Sequence, residues 1–303
     1  MKVSLTTTVM NEKNSIEEFL NSVIKQTRRP DEFIIVDGGS NDGTYEILVK
    51  YSKKYRWMKA YQVKGASVGR GRNIAISKAK YKIIASTDAG CILDKNWLKN
   101  IVKPFEDKNV DVVVGVYKPL YKNEFEHFEG LIVVPEIEKT NSPSRMSARS
   151  LAFKKNVWKK VGGFPNLITG EDTLFHLKLK KAGFRYAFAK DAIIFWRMRK
   201  NWKEFAKQFY KYGVGDRKSG NIFKMKTNFL MVIGFWTLLA IIIYFMFSDL
   251  KMFAILVGVS FLYFLNKGLE LFLRTKKIKA LYYGTVLFFL KRTCYILGVS
   301  VGK

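Results

Sequence analysis

Two acidic residues follow short apolar runs, at positions where a carboxylate can meet a phosphorylated ligand. Asp37 comes directly after the run 33–36 and is followed by a glycine-rich segment, 38–44. A carboxylate there can accept hydrogen bonds from a nucleobase or a ribose hydroxyl, and the glycines let a ligand approach the backbone. Asp88 follows the run 83–86 and can hold Mg²⁺ against a diphosphate, because Mg²⁺ takes one or two carboxylates together with phosphate oxygens. The simpler alternative for each is a turn or capping aspartate.

A basic, hydroxyl-bearing segment lies between these two carboxylates in the sequence. Residues 65–73 read GASVGRGRN and are expected to form a flexible loop. The segment lacks the third glycine of the dinucleotide-binding fingerprint, and the chain contains no GxxxxGK[ST] phosphate-loop sequence. A basic loop beside two strand-end carboxylates favours a nucleotide diphosphate as the ligand.

An acidic pair, Glu171-Asp172, stands in a stretch otherwise dominated by lysine and arginine. It follows the turn 162–165 and begins an amphipathic helix that includes Leu174 and Leu179. Transfer of a group to a hydroxyl needs a base that removes the hydroxyl proton, and a carboxylate can serve as that base. The alternative is that the pair only stabilises a helix N-terminus, where acidic residues are favoured.

The elements that must position these groups alternate between strands and helices. The β-branched run Val3–Met10 predicts a buried strand. The helix after it is expected to begin at Asn14 or Ser15, with Ser15 and Glu18 spaced as a capping box. Pro30 is expected to end that helix. Further strands are predicted at 33–36, 83–86 and 110–117, and further helices from Thr44 and around 97–102. This alternation predicts an α/β fold with a parallel, doubly wound sheet, whose ligands bind beyond the carboxyl ends of the strands.

The C-terminal part of the chain is apolar enough to enter a membrane. Residues 229–247 are uncharged and long enough to cross a hydrocarbon core of about 30 Å. A second apolar run, 252–265, follows a short polar turn, and the two are predicted to form a spanning hairpin. Basic residues flank both ends of this hairpin, which places the preceding soluble domain on the cytoplasmic face. A third run, 280–301, is interrupted by Lys291-Arg292; it either spans the membrane or lies in the interface.

The sequence therefore divides into a soluble part and a membrane part. The soluble part covers 1–226 and ends in a basic interface segment, about 195–226. The membrane part covers 227–303, with helices expected at about 227–247, 252–273 and 280–301. Because the amino-terminal residues lack the long apolar run of a signal peptide, the first domain is expected to stay in the cytosol.

The composition narrows the choice of protein class. The chain has 303 residues and a formal net charge of +28, which first suggests a nucleic-acid-binding protein. A hydrophobic share of 48% excludes a disordered basic tail, and two cysteines, Cys91 and Cys294, exclude a disulfide framework or a zinc ribbon. Residues 145–226 carry 21 basic and 5 acidic residues. Because no nucleic-acid recognition motif accompanies this charge, we expect it to face anionic membrane lipids, with no nucleic acid as partner.

Taken in order, the segments above resemble the inverting glycosyltransferases of family 2, which have the GT-A fold. The resemblance runs from about residue 3 to residue 215 and is carried by VSLTTTVMNE, IIVDGGSNDGT, GRGRNIAISKA, ASTDAG and VGGFPNLITGEDTLFHLKLKKAGFRY. It implies donor-binding roles for Thr8, Asn11, Glu12, Asp37, Arg72 and Asp88. Asp37 would contact the nucleobase, usually uracil, and Asp88 would be the first aspartate of the metal-binding Asp-x-Asp motif. Asp172, beside Glu171, would be the general base that deprotonates the acceptor hydroxyl.

A second motif lies shortly before the membrane part. Residues 208–213 read QFYKYG and resemble the Gln-x-x-Arg-Trp motif of membrane-embedded polysaccharide synthases, with lysine for arginine and tyrosine for tryptophan. The resemblance implies that Gln208, Lys211 and Tyr212 contact the diphosphate or the acceptor. The alternative is an amphipathic interface helix whose aromatic residues touch lipid.

The chain departs from the family pattern at the metal site. Gly90 stands where a second metal-binding aspartate is usual, and the histidine that binds metal in some relatives has no counterpart. The resemblance still implies Mg²⁺ or Mn²⁺ bound through Asp88. Asp94 is a weaker substitute ligand, and Arg197 or Lys211 can carry part of the diphosphate charge.

The sequence thus predicts a membrane-anchored, inverting glycosyltransferase with a Rossmann-like GT-A domain and C-terminal transmembrane helices. It would move a sugar from a nucleotide sugar, UDP-linked rather than GDP-linked, to a hydroxyl of a lipid-linked or cell-surface glycan at the cytoplasmic face. Two alternatives share the class: a polyprenyl-phosphate sugar synthase, whose acceptor needs no base, and a processive polysaccharide synthase, for which two or three spans are few. Outside the class stand a membrane-tethered nucleic-acid-binding protein and an inactive nucleotide-binding scaffold, the latter left open by Gly90.

Overall fold

The computed structural model describes residues 1–134, 147–224 and 226–302. The chain forms two compact units. The first consists of Met1–Leu120 and Val134–Arg197, and the second of Tyr121–Val133 and Met198–Lys303. The boundary at residue 226 that hydropathy predicts lies inside the second unit, because the segment that follows Arg197 packs with the C-terminal helices.

The secondary structure elements are numbered along the chain. The strands are β1 Val3–Val9, β2 Glu32–Asp37, β3 Met58–Gln62, β4 Ile83–Ser86, β5 Cys91–Leu93, β6 Val112–Leu120, β7 Leu151–Lys154 and β8 Tyr186–Arg197. The helices are α1 Ile16–Ile24, α2 Thr44–Lys54, α3 Val68–Lys78, α4 Trp97–Val102, α5 Glu124–Val133, α6 Lys155–Lys160, α7 Glu171–Lys181, α8 Trp202–Lys218, α9 Asn221–Lys224, α10 Lys226–Ser248, α11 Leu250–Thr275 and α12 Lys279–Val301. All described strands, with α1 to α4, α6 and α7, belong to the first unit.

The strands of the first unit form one sheet in the order β3-β2-β1-β4-β7-β6-β8-β5. β1 pairs in parallel with β2 and β4, and β2 with β3. Six of the seven residues of β1 and every residue of β2 are buried, as expected for parallel strands covered on both faces. The predicted doubly wound arrangement is confirmed for this half of the sheet.

The other half of the sheet is mixed, so the prediction of a wholly parallel sheet is wrong there. β7 runs antiparallel between β4 and β6, and β5 runs antiparallel to β8. The pairing of Ser86 with Leu151 brings the start of β7 to the carboxyl end of β4. Residues that immediately precede β7 are therefore placed beside the residues that follow β4.

Two predictions about α1 are wrong. The helix ends at Ile24, well before Pro30. The side chain of Ser15 makes no capping bond to the helix, and its hydroxyl instead donates to the carboxylate and the carbonyl of Glu12. The Glu12 carbonyl also accepts from the amide of Ser15 at 2.9 Å. The backbone amide just before the helix therefore has a hydrogen-bond partner that is not Glu18.

The glycine-rich segment 65–73 is mostly helical rather than a flexible loop. Ser67 caps α3 by accepting a hydrogen bond from the amide of Arg70 at 3.1 Å. Gly71 faces β1, and a β carbon added there would overlap the side chain of Thr8. The glycines therefore allow α3 to approach the sheet closely.

The first unit has an apolar core on the side of the sheet that carries α3, α6 and α7. Phe175 of α7 stacks on Phe164 with ring centroids 4.0 Å apart, and meets Phe153 of β7 edge-on at 5.6 Å. This packing fixes the amino-terminal end of α7, which carries the acidic pair.

The second unit is helical and has its own aromatic core. Buried residues of α5, α8, α11 and α12 form this core: Phe125, Phe128, Phe205, Phe209, Leu271, Ala280 and Leu287. By length and composition, three of its described helices are apolar enough to cross a membrane: Thr227–Ser248, Leu250–Thr275 and Lys279–Val301. They agree with the predicted runs to within a few residues.

Candidate active site

Asp37, at the carboxyl end of β2, organises the glycine-rich turn. Its side chain is fully buried. One carboxylate oxygen accepts from the amides of Gly39 at 2.9 Å and Ser40 at 2.8 Å, and from the side-chain amide of Gln62 at 3.1 Å. The other accepts from the Ser40 hydroxyl at 2.5 Å. The turn also needs glycine at position 39, where φ is +106°. The contact of Asp37 with a nucleobase stays a prediction.

Three further predicted donor-binding residues lie at the carboxyl end of β1 or just beyond it. Asn11 has a positive φ of 55°; its amide donates to the Ser40 hydroxyl at 2.8 Å. The amide of Glu12 donates to the Thr44 hydroxyl at 2.9 Å. Thr8 is the last but one residue of β1, and its hydroxyl donates to a carbonyl of β2. The turn after β1 is thus bonded directly to the turn that Asp37 organises.

Arg72 is the centre of the charged cluster. Its side chain is only 4% exposed. One terminal nitrogen lies 2.6 Å from a carboxylate oxygen of Asp88, and Nε lies 3.4 Å from the carboxylate of Glu171. The guanidinium also packs against the ring of Phe164. A helix residue thereby joins the end of β4 to the start of α7, which are far apart in the sequence.

Arg149 is a second cation at Asp88, and the sequence did not identify it. Its Nε lies 3.6 Å from the second carboxylate oxygen of Asp88. The guanidinium lies 4.0 Å from the ring centroid of Trp196 and donates to the Ser147 hydroxyl at 2.9 Å. Arg149 reaches Asp88 only because β7 pairs antiparallel with β4. Its one signal in the sequence is a basic residue just before a short apolar run.

The two arginines determine the ionisation of Asp88. Burial alone would raise the pKa of this carboxyl group, but the charges of Arg72 and Arg149 hold its pKa below the ordinary value. Asp88 is therefore an anion with both oxygens paired, and its side chain is still 28% exposed.

The acidic pair at the start of α7 has two different environments. Glu171 is buried, and that burial raises its pKa to about 7 although Arg72 favours the charged form. Asp172 is half-buried. One of its carboxylate oxygens accepts from the Thr173 amide at 2.8 Å, and the other lies 3.5 Å from the Ser147 hydroxyl. Asp172 is therefore the more accessible carboxylate, whereas Glu171 faces Arg72.

The motif residues Gln208, Lys211 and Tyr212 lie on α8, in the second unit. Gln208 is buried and accepts a hydrogen bond from Arg199. In the described part of the chain its side-chain nitrogen has no hydrogen-bond partner. The ring of Tyr212 meets Phe209 edge-on at 5.5 Å. The predicted role of these residues at a diphosphate or an acceptor stays a prediction.

The residues considered as substitutes at the metal site have other partners. Arg197 forms an ion pair with Glu18. Asp94 accepts from the amide of Asn96 at 2.9 Å. Among the described residues, no group of three histidine, cysteine, aspartate or glutamate side chains could hold a metal ion. The role of Asp88 as a metal ligand stays a prediction.

Comparison with known proteins shows which family this chain is similar to. Residues 4–164 match the family description "Glycosyl transferase family 2". The chain is 27% identical over 247 residues to "Glycosyltransferase AglE" of Haloferax volcanii, covering 78% of this chain and 80% of that protein. It is 25% identical over 210 residues to "O-antigen chain rhamnosyltransferase RfbN" of Salmonella typhimurium, covering 64% and 66% respectively.

A solved structure shares the fold. It is the mannosyltransferase PcManGT of Pyrobaculum calidifontis, in complex with GDP-Man and Mn²⁺. The two superpose with a TM-score of 0.67 over 99% of this chain and 86% of that one, at 20% sequence identity.

The raised pKa of Glu171 predicts a pH-dependent stability that a Glu171→Gln variant lacks. Because the pKa rises from 4.5 to about 7 on folding, this group's contribution is fullest below pH 4.5 and is lost as the pH rises through 7. Thermal unfolding of both purified proteins is measured at pH 5, 6, 7 and 8. The unfolding midpoint of the variant should rise relative to that of the native chain as the pH rises. Glu17→Gln, at an exposed position of α1, is the control. A difference that stays constant from pH 5 to pH 8 would contradict the assignment.

Proposed function

This chain belongs to glycosyltransferase family 2, and we propose that it transfers a sugar, with inversion, from a nucleotide sugar to a hydroxyl group of a lipid-linked or cell-surface glycan. The observation that carries the proposal is the cluster in which Arg72 joins Asp88 to Glu171. It gathers three charged groups from distant parts of the sequence beside the accessible carboxylate of Asp172.

The reaction is a single displacement at the anomeric carbon of the donor sugar. As the acceptor oxygen bonds to that carbon, the bond from the carbon to the diphosphate oxygen breaks. Asp172 takes the proton of the acceptor hydroxyl, and the nucleoside diphosphate leaves with the electron pair of the broken bond. Glu171 acts through Arg72, whose position it fixes. Arg72 and Arg149 supply fixed positive charge close to where the leaving diphosphate gains negative charge.

The donor nucleotide is proposed to bind at the carboxyl ends of β1 and β2. The hydrogen-bonded turns around Asn11 and Ser40 form this edge, with Thr8, Glu12 and Asp37 beside them. Ligands of doubly wound sheets bind at such ends. We propose UDP as the nucleotide. Because the similar solved structure contains GDP-Man, binding measurements need both nucleotides.

Asp88 is the residue that would hold a divalent cation. One carboxylate suits a cation that completes its shell with phosphate oxygens and water, and the neighbouring Thr87 hydroxyl is buried without a partner in the described part of the chain. We propose that Mg²⁺ or Mn²⁺ binds here together with the donor and replaces one of the two arginine contacts of Asp88. Such an ion would offset the charge of the departing diphosphate.

The acceptor is proposed to be held at a membrane. α10 and α11 are long and apolar enough to span one. The basic residues before α10 and after α11 support a cytoplasmic position for both ends of this hairpin. One relative, from Salmonella typhimurium, is named as an O-antigen chain transferase. A lipid-linked saccharide presented to Asp172 at the cytoplasmic face is the acceptor that fits these features.

The base assignment predicts that Asp172→Asn lowers transfer by about a hundredfold or more. The neutral amide cannot take the hydroxyl proton, but donor binding should change little, since the Asp88 cluster is intact. The measurement uses purified protein, radiolabelled UDP-sugars and a membrane lipid extract, with Asp191→Asn on the exposed side of β8 as control. Full transfer by Asp172→Asn would favour an acceptor that is already an anion, such as a polyprenyl phosphate.

The cation proposal predicts that Asp88→Asn removes the effect of Mn²⁺ on nucleotide binding. The native chain should bind UDP more tightly in Mn²⁺ than in EDTA by calorimetry, whereas the variant should bind equally in both. Asp94→Asn is the matched control, because Asp94 is the other aspartate near this strand end and bonds the Asn96 amide. Native binding that is the same with and without Mn²⁺ would contradict a cation at this site.

Arg149 is predicted to contribute to diphosphate binding. Arg149→Ala should weaken UDP binding about tenfold, which is about 1.4 kcal/mol, and Arg149→Lys should restore part of it, because lysine keeps the charge without the planar fork. Arg185→Ala, an exposed arginine of the same unit, controls for lost net charge. Equal dissociation constants for the native chain and Arg149→Ala would rule out this role.

A further inference from the structure

The helix α12 has polar partners along its whole length. At its start, Lys279 pairs with Glu124 of α5 at 3.0 Å. In its middle, Lys291 donates to the carbonyl of Ile132, the last but one residue of α5, at 3.3 Å. Near its end, the carbonyl of Ser300 accepts from Arg217 of α8 at 2.8 Å. These contacts extend over about 32 Å at 1.5 Å per residue, which is the thickness of a bilayer core of about 30 Å.

The backbones of α8 and α12 are in direct contact. A β carbon added at Gly298 would overlap the carbonyl oxygen of Tyr210, and one at Gly213 would overlap that of Tyr295. The Tyr295 hydroxyl donates to Asp216 of α8 at 2.6 Å. These contacts bind the two helices together as one layer.

α8 cannot enter the hydrocarbon of a membrane. Its 17 residues include seven charged ones: Lys203, Glu204, Lys207, Lys211, Asp216, Arg217 and Lys218. A charged side chain at the centre of a bilayer is strongly disfavoured. If α12 crossed the membrane, its contacts would draw these charges into the hydrocarbon.

The contacts of α12 with α10 and α11 show how it runs. Its first half packs against the second half of α11: Gly284 lies against Gly268, and the rings of Phe264 and Phe289 lie 5.3 Å apart. Its second half meets the first half of α10, where Arg292 contacts Met231. Asn228 donates to Tyr295 at 3.2 Å, and Trp236 donates to Ser300 at 2.8 Å.

This path lies across the half of the hairpin that is opposite its turn. α10 ends at Ser248 and α11 begins at Leu250, so the start of α10 and the end of α11 are the two ends opposite the turn. A third spanning helix would instead meet its neighbours down to the turn at Asp249. α10 and α11 are almost wholly exposed over their apolar windows, whereas a third of the window of α12 is buried.

We infer that α10 and α11 cross the membrane and that α12 lies with α8 along the lipid surface. The exposed rings of Tyr282 and Phe289 would enter the outer layer of lipid, and the basic residues would contact anionic headgroups. The C-terminus then lies on the same side as the start of α10. The inference rests on the membrane attachment in the proposed function, but it is independent of the transfer reaction.

Spin-label depth measurement separates a surface helix from a spanning one. The full chain, with Cys91→Ser and Cys294→Ser, receives a single nitroxide at Phe289→Cys or Leu238→Cys, both at exposed positions near the middle of their helices. It is reconstituted in vesicles of phosphatidylcholine and phosphatidylglycerol. Comparing relaxation by oxygen and by a nickel chelate, we expect position 289 to lie closer to the lipid headgroups than position 238.

The two ways of failing are distinguishable. A label at 289 as deep as the one at 238 would show that α12 spans, overturning this inference while the membrane attachment stands. A shallow label at 238 would show that the hairpin does not span, which overturns both. A second test places one epitope after Lys303 and another after Asp249 and measures their protection in sealed vesicles. If the two epitopes lie on the same side of the membrane, the inference is overturned.

A pair of glycine substitutions tests the union of α8 and α12. Gly298→Leu should separate the two backbones and lower the midpoint of thermal unfolding by several degrees. Gly258→Leu is the matched control. Gly258 lies on α11, and apart from the nearby backbone of that helix no described atom lies within 4 Å of a β carbon added there. An unchanged midpoint in Gly298→Leu would contradict the packing on which the surface position of α12 depends.

Discussion

The arrangement of the catalytic unit depends on one buried cation. The guanidinium of Arg72 is almost entirely removed from water, and such a charge is tolerated only when carboxylates and hydrogen bonds compensate for lost hydration. Asp88 and Glu171 supply that compensation from β4 and α7. Close packing of α3 on β1, made possible by Gly71, holds Arg72 at the right depth. The site is therefore assembled by an electrostatic requirement of the fold, in addition to apolar packing.

The same cation separates the roles of two adjacent carboxylates. Glu171 and Asp172 are neighbours in sequence, but the first turn of α7 directs them to different surroundings. Glu171 is buried against Arg72, whereas Asp172 is half-buried and bonds the Thr173 amide. The pair can therefore serve both the helix terminus and catalysis, because its two carboxylates have different surroundings and can have different roles. Glu171, which is buried, pairs with the guanidinium of Arg72. Asp172, which is more accessible, can face an acceptor.

The second unit shows how hydropathy and packing answer different questions. Length and apolar composition give α10, α11 and α12 the same status as candidate spans. The physical difference lies in their neighbours, since α12 shares hydrogen bonds and backbone contacts with the highly charged α8. A helix can enter lipid only if everything bound to it can also enter. Part of the basic charge in 145–226 is thus carried by α8, the helix that packs against α12.

The sequence alone determined the parallel half of the sheet, the carboxylates at its strand ends and the apolar helices, since each follows from local patterns of burial. Ser15, α3 and Arg149 show what the sequence alone could not predict. Ser15 bonds Glu12 because of the preceding turn, the glycines of α3 serve contact with Thr8, and Arg149 meets Asp88 only because β7 is antiparallel to β4. Strand direction, helix crossings and the pairing of buried charges arise from contacts between residues far apart in the chain. No local pattern reports such contacts, so the tertiary structure alone decided how Asp88 is held and which apolar helix packs against the charged α8.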